Sequence, residues 1–265
     1  MMVNHSSRQQ QYLFRLKRDR ILICISRLLL LVFFLLLWEI ASRKQWIDSF
    51  IFSSPSLILE TFIKMLKEQS LTAHIQITLT ETLVSFLLVM ILGILSAVIL
   101  WLFPKVSKVL EPYLVVLNSL PKSALAPLLI VWLGANQKTI IVSGISVAIF
   151  GCILNLYTGF TEISHEKLKL IRTLGGGRMD ELFKIILPSS VPTILSNMKV
   201  NSGLCLVGVI IGEFIGARQG LGYLIIYGSQ TFKLTWVLMS IVILMIIAML
   251  LYGILNLFEK KVQKH

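Results

Sequence analysis

Few residues of this chain could do chemistry, and their spacing excludes most of it. His165 and Glu166 open the H-E-x-x-H pattern that grips zinc from one helix face, but the closing position is Lys169, so the second imidazole is missing. Gly175-Gly176-Gly177 invites a phosphate-loop reading, yet no Gly-Lys-Ser/Thr follows and no strand-like run precedes it. If ATP powers this protein, another chain binds it. Cys24, Cys152 and Cys205 all fall inside apolar runs without C-x-x-C spacing, and they read as small apolar fillers rather than a disulfide or metal centre.

Charged groups inside hydrocarbon are costly and are functional suspects by default. Glu39, Glu81 and Glu213 lie close to the ends of apolar runs, where water is expected to solvate them. Asp19, Asp48 and Asp180 fall outside those runs, and His5, His74, His165 and His265 sit in or near polar segments. A hydrolase buried in a membrane needs two facing aspartates or a serine with its base. A proton-driven carrier needs an acidic relay at mid-depth. Neither pattern is present, so the chain reads as non-catalytic, without cofactor or metal. The uncharged residues Asn118, Ser119, Ser123, Asn155, Asn201 and Ser202 remain as candidates for lining a solute path, with interhelical hydrogen bonding as the competing explanation.

These residues need elements to hold them, and composition says what those elements are. Of 265 residues 56% are hydrophobic and only 14% charged, with a mean hydropathy of +0.84. A soluble domain carries nearer a quarter charged residues. The excess comes in blocks, which points to a bilayer as solvent. The net charge of +12 sits between the blocks and forms no basic face interleaved with aromatics. It therefore reads as a topology signal with lipid-headgroup contacts, and no nucleic-acid partner is expected.

A helix needs about 20 mostly apolar residues to cross the hydrocarbon. Such runs fit at 21–41, 83–103, 113–134, 139–160, 193–216 and 234–258, giving an all-α membrane protein of six transmembrane helices. The first follows a basic stretch but exceeds a signal peptide's apolar core and lacks an A-x-A site, so it reads as a retained anchor. With both ends inside, the inner segments 1–20, 104–112, 161–192 and 259–265 hold fifteen Lys and Arg against seven outside. The positive-inside rule then places both termini in the cytoplasm. Ser54 and Pro55 suit a helix start, and Leu59, Phe62, Ile63 and Leu66 follow at helical spacing, predicting an amphipathic helix along the outer membrane face. Pro121 and Pro127 predict a bent third span.

The long loop 161–192 splits into two amphipathic patterns around the glycine run. Ile163, Leu170, Ile171 and Leu174 share one face before it. Met179, Leu182, Phe183 and Ile186 share one after it, with Arg178, Asp180, Glu181 and Lys184 elsewhere. Pro188 is expected to stop the second helix, and Ser190 with Pro192 to start the next. An apolar face outside the bilayer packs either on its own spans or in a partner's groove. A side chain replacing Gly175 is expected to interfere through positive φ and through bulk.

In this loop, Gly175, nine intervening residues and then Ile185-x-Leu187-Pro188 resemble the E-A-A-x3-G-x9-I-x-L-P signature of ABC-importer permeases. Pro121-Lys122-Ser123-Ala124-Leu125-Ala126-Pro127-Leu128, Gly212-Glu213-Phe214-Ile215-Gly216-Ala217 and Gly220-Leu221-Gly222-Tyr223 are similar to the nitrate/sulfonate/taurine-type branch. The resemblance implies a paired permease, two cytoplasmic ATPase subunits and an external solute-binding protein, in a bacterial inner membrane. It implies a small solute: a sulfonate, taurine or nitrate-like anion, or a vitamin precursor. It also assigns ATPase coupling to the loop, on Lys169, Arg172, Thr173, Leu174, Gly175, Arg178, Phe183, Ile185, Leu187 and Pro188. Lys169-Leu170-Ile171 stands where the signature has Glu-Ala-Ala, so the family's glutamate has no counterpart here. The reading from another transport class is an ion-coupled secondary carrier.

Overall fold

The computed structural model describes residues 7–262, with side chains from Arg18 onward apart from Arg20 and Cys24. The basic side chains expected to orient the N-terminus before Arg18, and Lys264 at the other end, lie outside the described residues. Every element described is helical. Five helices are long and apolar enough to cross a membrane: α1 (Ser7–Arg43, through its part Ile21–Arg43), α4 (Ser70–Leu102), α7 (Gln137–Thr161), α11 (Val191–Gly216) and α13 (Leu234–Val262).

The sixth segment is not one kinked helix. It is a pair, α5 (Pro104–Ser119) and α6 (Lys122–Leu133), bent by 95°. Pro121 explains the break. Its ring forces the preceding Leu120 out of the helical region, to φ −62° and ψ 141°, and it offers no N–H to continue the ladder. Pro127 and Pro112 are tolerated inside α6 and α5.

The core is built on α4, α7 and α11. Lipid tails are as apolar as leucine, so close packing and hydrogen bonds, rather than hydrophobic drive, hold such helices together. Small residues permit that approach. A Cβ on Gly208 would sit 2.8 Å from the Gly144 Cα and 2.9 Å from the Ser143 carbonyl oxygen, and one on Gly93 would sit 2.6 Å from the Cys152 Sγ. Ser143 Oγ donates to the Gly208 carbonyl at 2.9 Å, Ser85 Oγ to that of Ile141 at 3.0 Å, and Asn197 Nδ2 to that of Cys152 at 3.2 Å. Phe86, Val89, Ala148, Cys152, Leu156 and Cys205 fill the space between.

A second cluster joins the outer elements α3 (Pro55–Lys67) and α12 (Leu221–Gln230) to α4 and α13 through Met65, Leu71, Leu221, Leu224 and Met239. Ser54 caps α3, accepting from the Leu57 N–H, and Pro55 takes its first turn, as the sequence implies. Ile58 and Met65 face the protein, while Leu59, Ile63 and Leu66 are exposed. The exposed stripe is the one expected to lie along the membrane face, and a second apolar stripe packs on α13. Beside it, the short α2 (Ser49–Phe52) carries exposed Phe50, Ile51 and Phe52. Among the described residues, helix α1 is tied to the rest near its end, where Glu39 accepts from the Ser56 N–H at 3.1 Å and the Ser56 hydroxyl at 2.9 Å in the first turn of α3.

Candidate functional site: the loop before α11 and the broken segment

The loop is more continuous than its sequence pattern. Helix α8 (His165–Thr173) is capped by Ser164, and α9 (Arg178–Glu181) runs into a π-helical turn over Leu182–Ile186 and then α10 (Leu187–Ser189). Pro188 therefore does not stop the helix. Its missing N–H leaves the Lys184 carbonyl without the usual partner, and the wider π turn, in which the Leu187 N–H reaches the Leu182 carbonyl, absorbs the mismatch.

The glycine run makes the turn between α8 and α9 for two separate reasons. Gly175 has φ +82°, a region side-chain-bearing residues avoid. A Cβ there would meet nothing within 4 Å, so within this chain the requirement for glycine comes from the backbone alone. Gly176 is sterically required: a Cβ would lie 2.5 Å from Ile171 Cγ2.

Polar contacts lock this turn. Arg172 grips Glu181 across it, through Nε to Oε1 and Nη2 to Oε2 (3.4 Å). Glu181 is 1% exposed, although its sequence pattern placed it on the polar face. The partners lie nine positions apart across a turn, a spacing no single helix would flag. The Gly177 N–H donates to Asp180 Oδ2 at 3.0 Å, and Lys184 Nζ lies 2.6 Å from Asp180 Oδ1. The Lys184 ammonium first, and that N–H second, hold the Asp180 carboxyl below the usual carboxylate range. Arg178 Nη1 donates to the Leu102 carbonyl at 2.6 Å, tying the loop to the end of α4.

The apolar residues of the loop divide. Leu168, Leu182 and Ile186 are buried in the α4–α7–α11 core cluster, with Ile163, Ile185 and Leu187 packed against it. Leu170, Leu174, Met179 and Phe183 are exposed, at 59%, 75%, 59% and 64%. Lys169 and Thr173 are exposed with them. The sequence patterns had grouped Leu170 with Ile171 and Phe183 with Leu182; only packing separates these neighbours.

The six polar candidates do not form one group. Asn118 closes α5, where Lys122 Nζ bonds its carbonyl and, at 3.3 Å, its Oδ1; Ser119 and Ser123 are exposed on either side of the break. A Cβ on Gly151 would lie 3.2 Å from Asn118 Oδ1, so a glycine in α7 makes room for this side chain. Asn155 is exposed on a cavity of about 150 Å³ with Thr193, Ser196, Asn197 and Val200, between α7 and α11. Asn201 and Ser202 are buried and bonded within α11: Asn201 Nδ2 to Asn197 Oδ1 at 2.8 Å, and Ser202 Oγ to the Lys199 carbonyl at 2.8 Å.

At the other end of α4 and α11 the structure corrects the sequence reading. Glu81 and Glu213 are each 1% exposed and are not solvated at helix ends. Helix α12 folds back over the end of α11 and covers them. Thr78 Oγ1 donates to Glu213 Oε1 at 2.6 Å, and the Gly222 N–H to Oε2 at 2.5 Å. Gly-Leu-Gly at 220–222 was the available signal, since a Cβ on Gly220 or Gly222 would run into the Glu213 carboxylate.

Residues 89–264 match the family described as binding-protein-dependent transport system inner membrane component. The chain is 28% identical over 228 residues to a Haemophilus influenzae protein named as an ABC transporter permease, covering 86% of this chain and 92% of that one. It is 28% identical to the formylaminopyrimidine transport permease of Halalkalibacterium halodurans (72% and 77% covered) and 25% identical to the taurine permease of Escherichia coli (82% and 81%). In fold it is similar to a chain of the inward-facing MetNI methionine ABC transporter, with a TM-score of 0.66 at 20% identity, covering 73% of this chain and 96% of that one. A helical, multiply spanning chain whose matched region takes in the whole loop, the broken segment from α5 onward and most of the packed core is thus a member of the inner-membrane permease family of binding-protein-dependent ABC importers.

Proposed function

We propose that this chain is one half of a permease pair that moves a small polar solute inward, driven by ATP hydrolysed on cytoplasmic subunits docked against the α8–α9 loop. The single observation that carries this reading is the set of exposed apolar side chains Leu170, Leu174, Met179 and Phe183 on a loop whose other face is already packed. A groove on a soluble partner would bury them. Arg172–Glu181 and Arg178–Leu102 make the loop rigid and bind it to α4, so a displacement of the docked surface passes into the bundle instead of being lost in a flexible hinge. Both termini lie on the cytoplasmic side of the inner membrane, and the ATP-binding residues are on the partner subunits.

A second copy supplies the other wall of the path, because one chain has too few helices to enclose it. The break between α5 and α6, with Asn118, Ser119 and Ser123, contributes non-helical backbone of the kind tolerated where it lines a cavity. An external binding protein delivers the solute. Relatives named for taurine and formylaminopyrimidine favour a small anion such as taurine, a sulfonate or nitrate, or a vitamin precursor.

The test is co-purification of the tagged chain with the ATPase of its own transport system. Phe183→Asp and Leu174→Asp should insert normally and lose the ATPase, whereas the lipid-facing Leu29→Ala should keep it. Retention of the ATPase by both aspartate variants at matched expression would refute the docking assignment.

A further inference from the structure

Glu81 from α4 and Glu213 from α11 lie together under the start of α12: Thr78, one turn before Glu81 on α4, donates to the Glu213 carboxylate, and both glutamates are 1% exposed. Their surroundings are unequal. Glu213 accepts from the Thr78 hydroxyl and the Gly222 N–H, and Thr78 in turn accepts from the Leu221 N–H at 2.9 Å. Glu81 Oε2 is buried and has no partner among the described residues. It borders a cavity of about 300 Å³ that Asn136, Gln137, Arg218 and Gln219 also line.

Two carboxylates on facing helices and out of water cannot both ionise, because each charge raises the cost of the other. The charged and titratable neighbours are few. On α4, His74 Nδ1 accepts from the Gly220 N–H at 2.9 Å, a bond the doubly protonated ring cannot make, so this imidazole is neutral in that arrangement. From the segment joining α11 to α12 comes Arg218; Asn136 and Gln137 at the start of α7 bring amides to the same cavity, whose lining does not include the next residue, Lys138, and α12 offers Tyr223, stacked on His74. The donors converging on Glu213 favour its ionised form, which leaves Glu81 as the acid.

We infer that Glu81 and Glu213 form a proton-binding site, in which one proton carried by Glu81 and shared with Glu213 latches the outer ends of α4, α11 and α12 together. The proton is held only while the two carboxyls face each other, so near neutrality the folded junction carries a proton that the separated side chains, as ordinary glutamates in water, do not. The latch is then weakened as pH rises, by the ordinary linkage between proton binding and stability. This is one isolated pair capping a junction, not a relay along a path.

Infrared spectroscopy of the purified full-length chain in detergent tests it directly. At about pH 7, well above the ordinary glutamate range, the wild type should show a protonated-carboxyl C=O band that shifts in D2O, and Glu81→Gln should lack it. Over rising pH the wild-type Tm should fall by several degrees while that of Glu81→Gln, whose amide mimics the protonated acid, stays level. Absence of the band in the wild type, its persistence in Glu81→Gln, or equal pH slopes would overturn the site. Should Glu81→Gln not accumulate, the wild-type band alone decides. A rise in wild-type Tm with added sodium at fixed pH, absent in Glu81→Gln, would also overturn it, by placing a metal cation where the proton is assigned.

Discussion

Replacing Gly175 isolates the backbone of the proposed coupling loop from everything else. Its φ of +82° lies in the left-handed region, and a Cβ would touch nothing within 4 Å, so a substitution adds strain without a clash. Left-handed backbone costs an ordinary L-residue roughly 1–2 kcal/mol, whereas Asn tolerates it through its short polar side chain. That strain corresponds to about a 5- to 30-fold loss in the population of the observed turn. The order of harm should therefore be Asn mildest, Ala intermediate and Val, with its branched Cβ, worst. The readouts are ATPase co-purification and solute-stimulated hydrolysis in the reconstituted assembly, at matched membrane expression. Gly176→Ala provides the contrast, since there the obstacle is the Ile171 methyl at 2.5 Å rather than φ. Equal behaviour of Asn and Val at Gly175, or wild-type coupling in Val, would refute the claim that a left-handed turn positions the docking face.

Arg172→Ala strands a buried carboxylate at Glu181, while Lys184→Ala removes an exposed partner, so thermal unfolding should reveal a larger loss for the arginine. Asp180, with its carboxyl held below the usual range, contributes stability that is complete above the ordinary aspartate pKa and lost as pH falls through the lowered one. Protection of the loop amides, corrected for the intrinsic exchange rate, should therefore persist into acid and then fall in the wild type, and be lower and independent of acid in Asp180→Asn. Gly208→Leu pushes a side chain into the Gly144 backbone and should destabilise the bundle by about 1–3 kcal/mol or more, seen as a lowered Tm in detergent. In a cysteine-free background, a cysteine at Ser70 or Gln230 should react with an impermeant thiol reagent from outside, and one at Ser164 only after permeabilisation; external labelling at Ser164 would invert the topology.

The sequence by itself determined which segments are apolar enough to cross a membrane and how the loop before α11 is punctuated. Both follow from local composition: run length answers to bilayer thickness, and glycines, prolines and caps act within a turn of themselves. Ser54 and Pro55 start α3 for that reason, and Gly175 turns the loop. Packing decided the rest. Proline chemistry promised a bend in the third segment, but its 95° size depends on what the two halves pack against. The loop's apolar residues carry no mark saying which meet the bundle, and Leu182 and Phe183, adjacent in sequence, end 3% and 64% exposed. Glu181 and Glu213 look like polar-face and helix-end residues until Arg172 folds onto one and α12 onto the other. Burial of a charge is a property of contacts distant in sequence, and no local pattern encodes it.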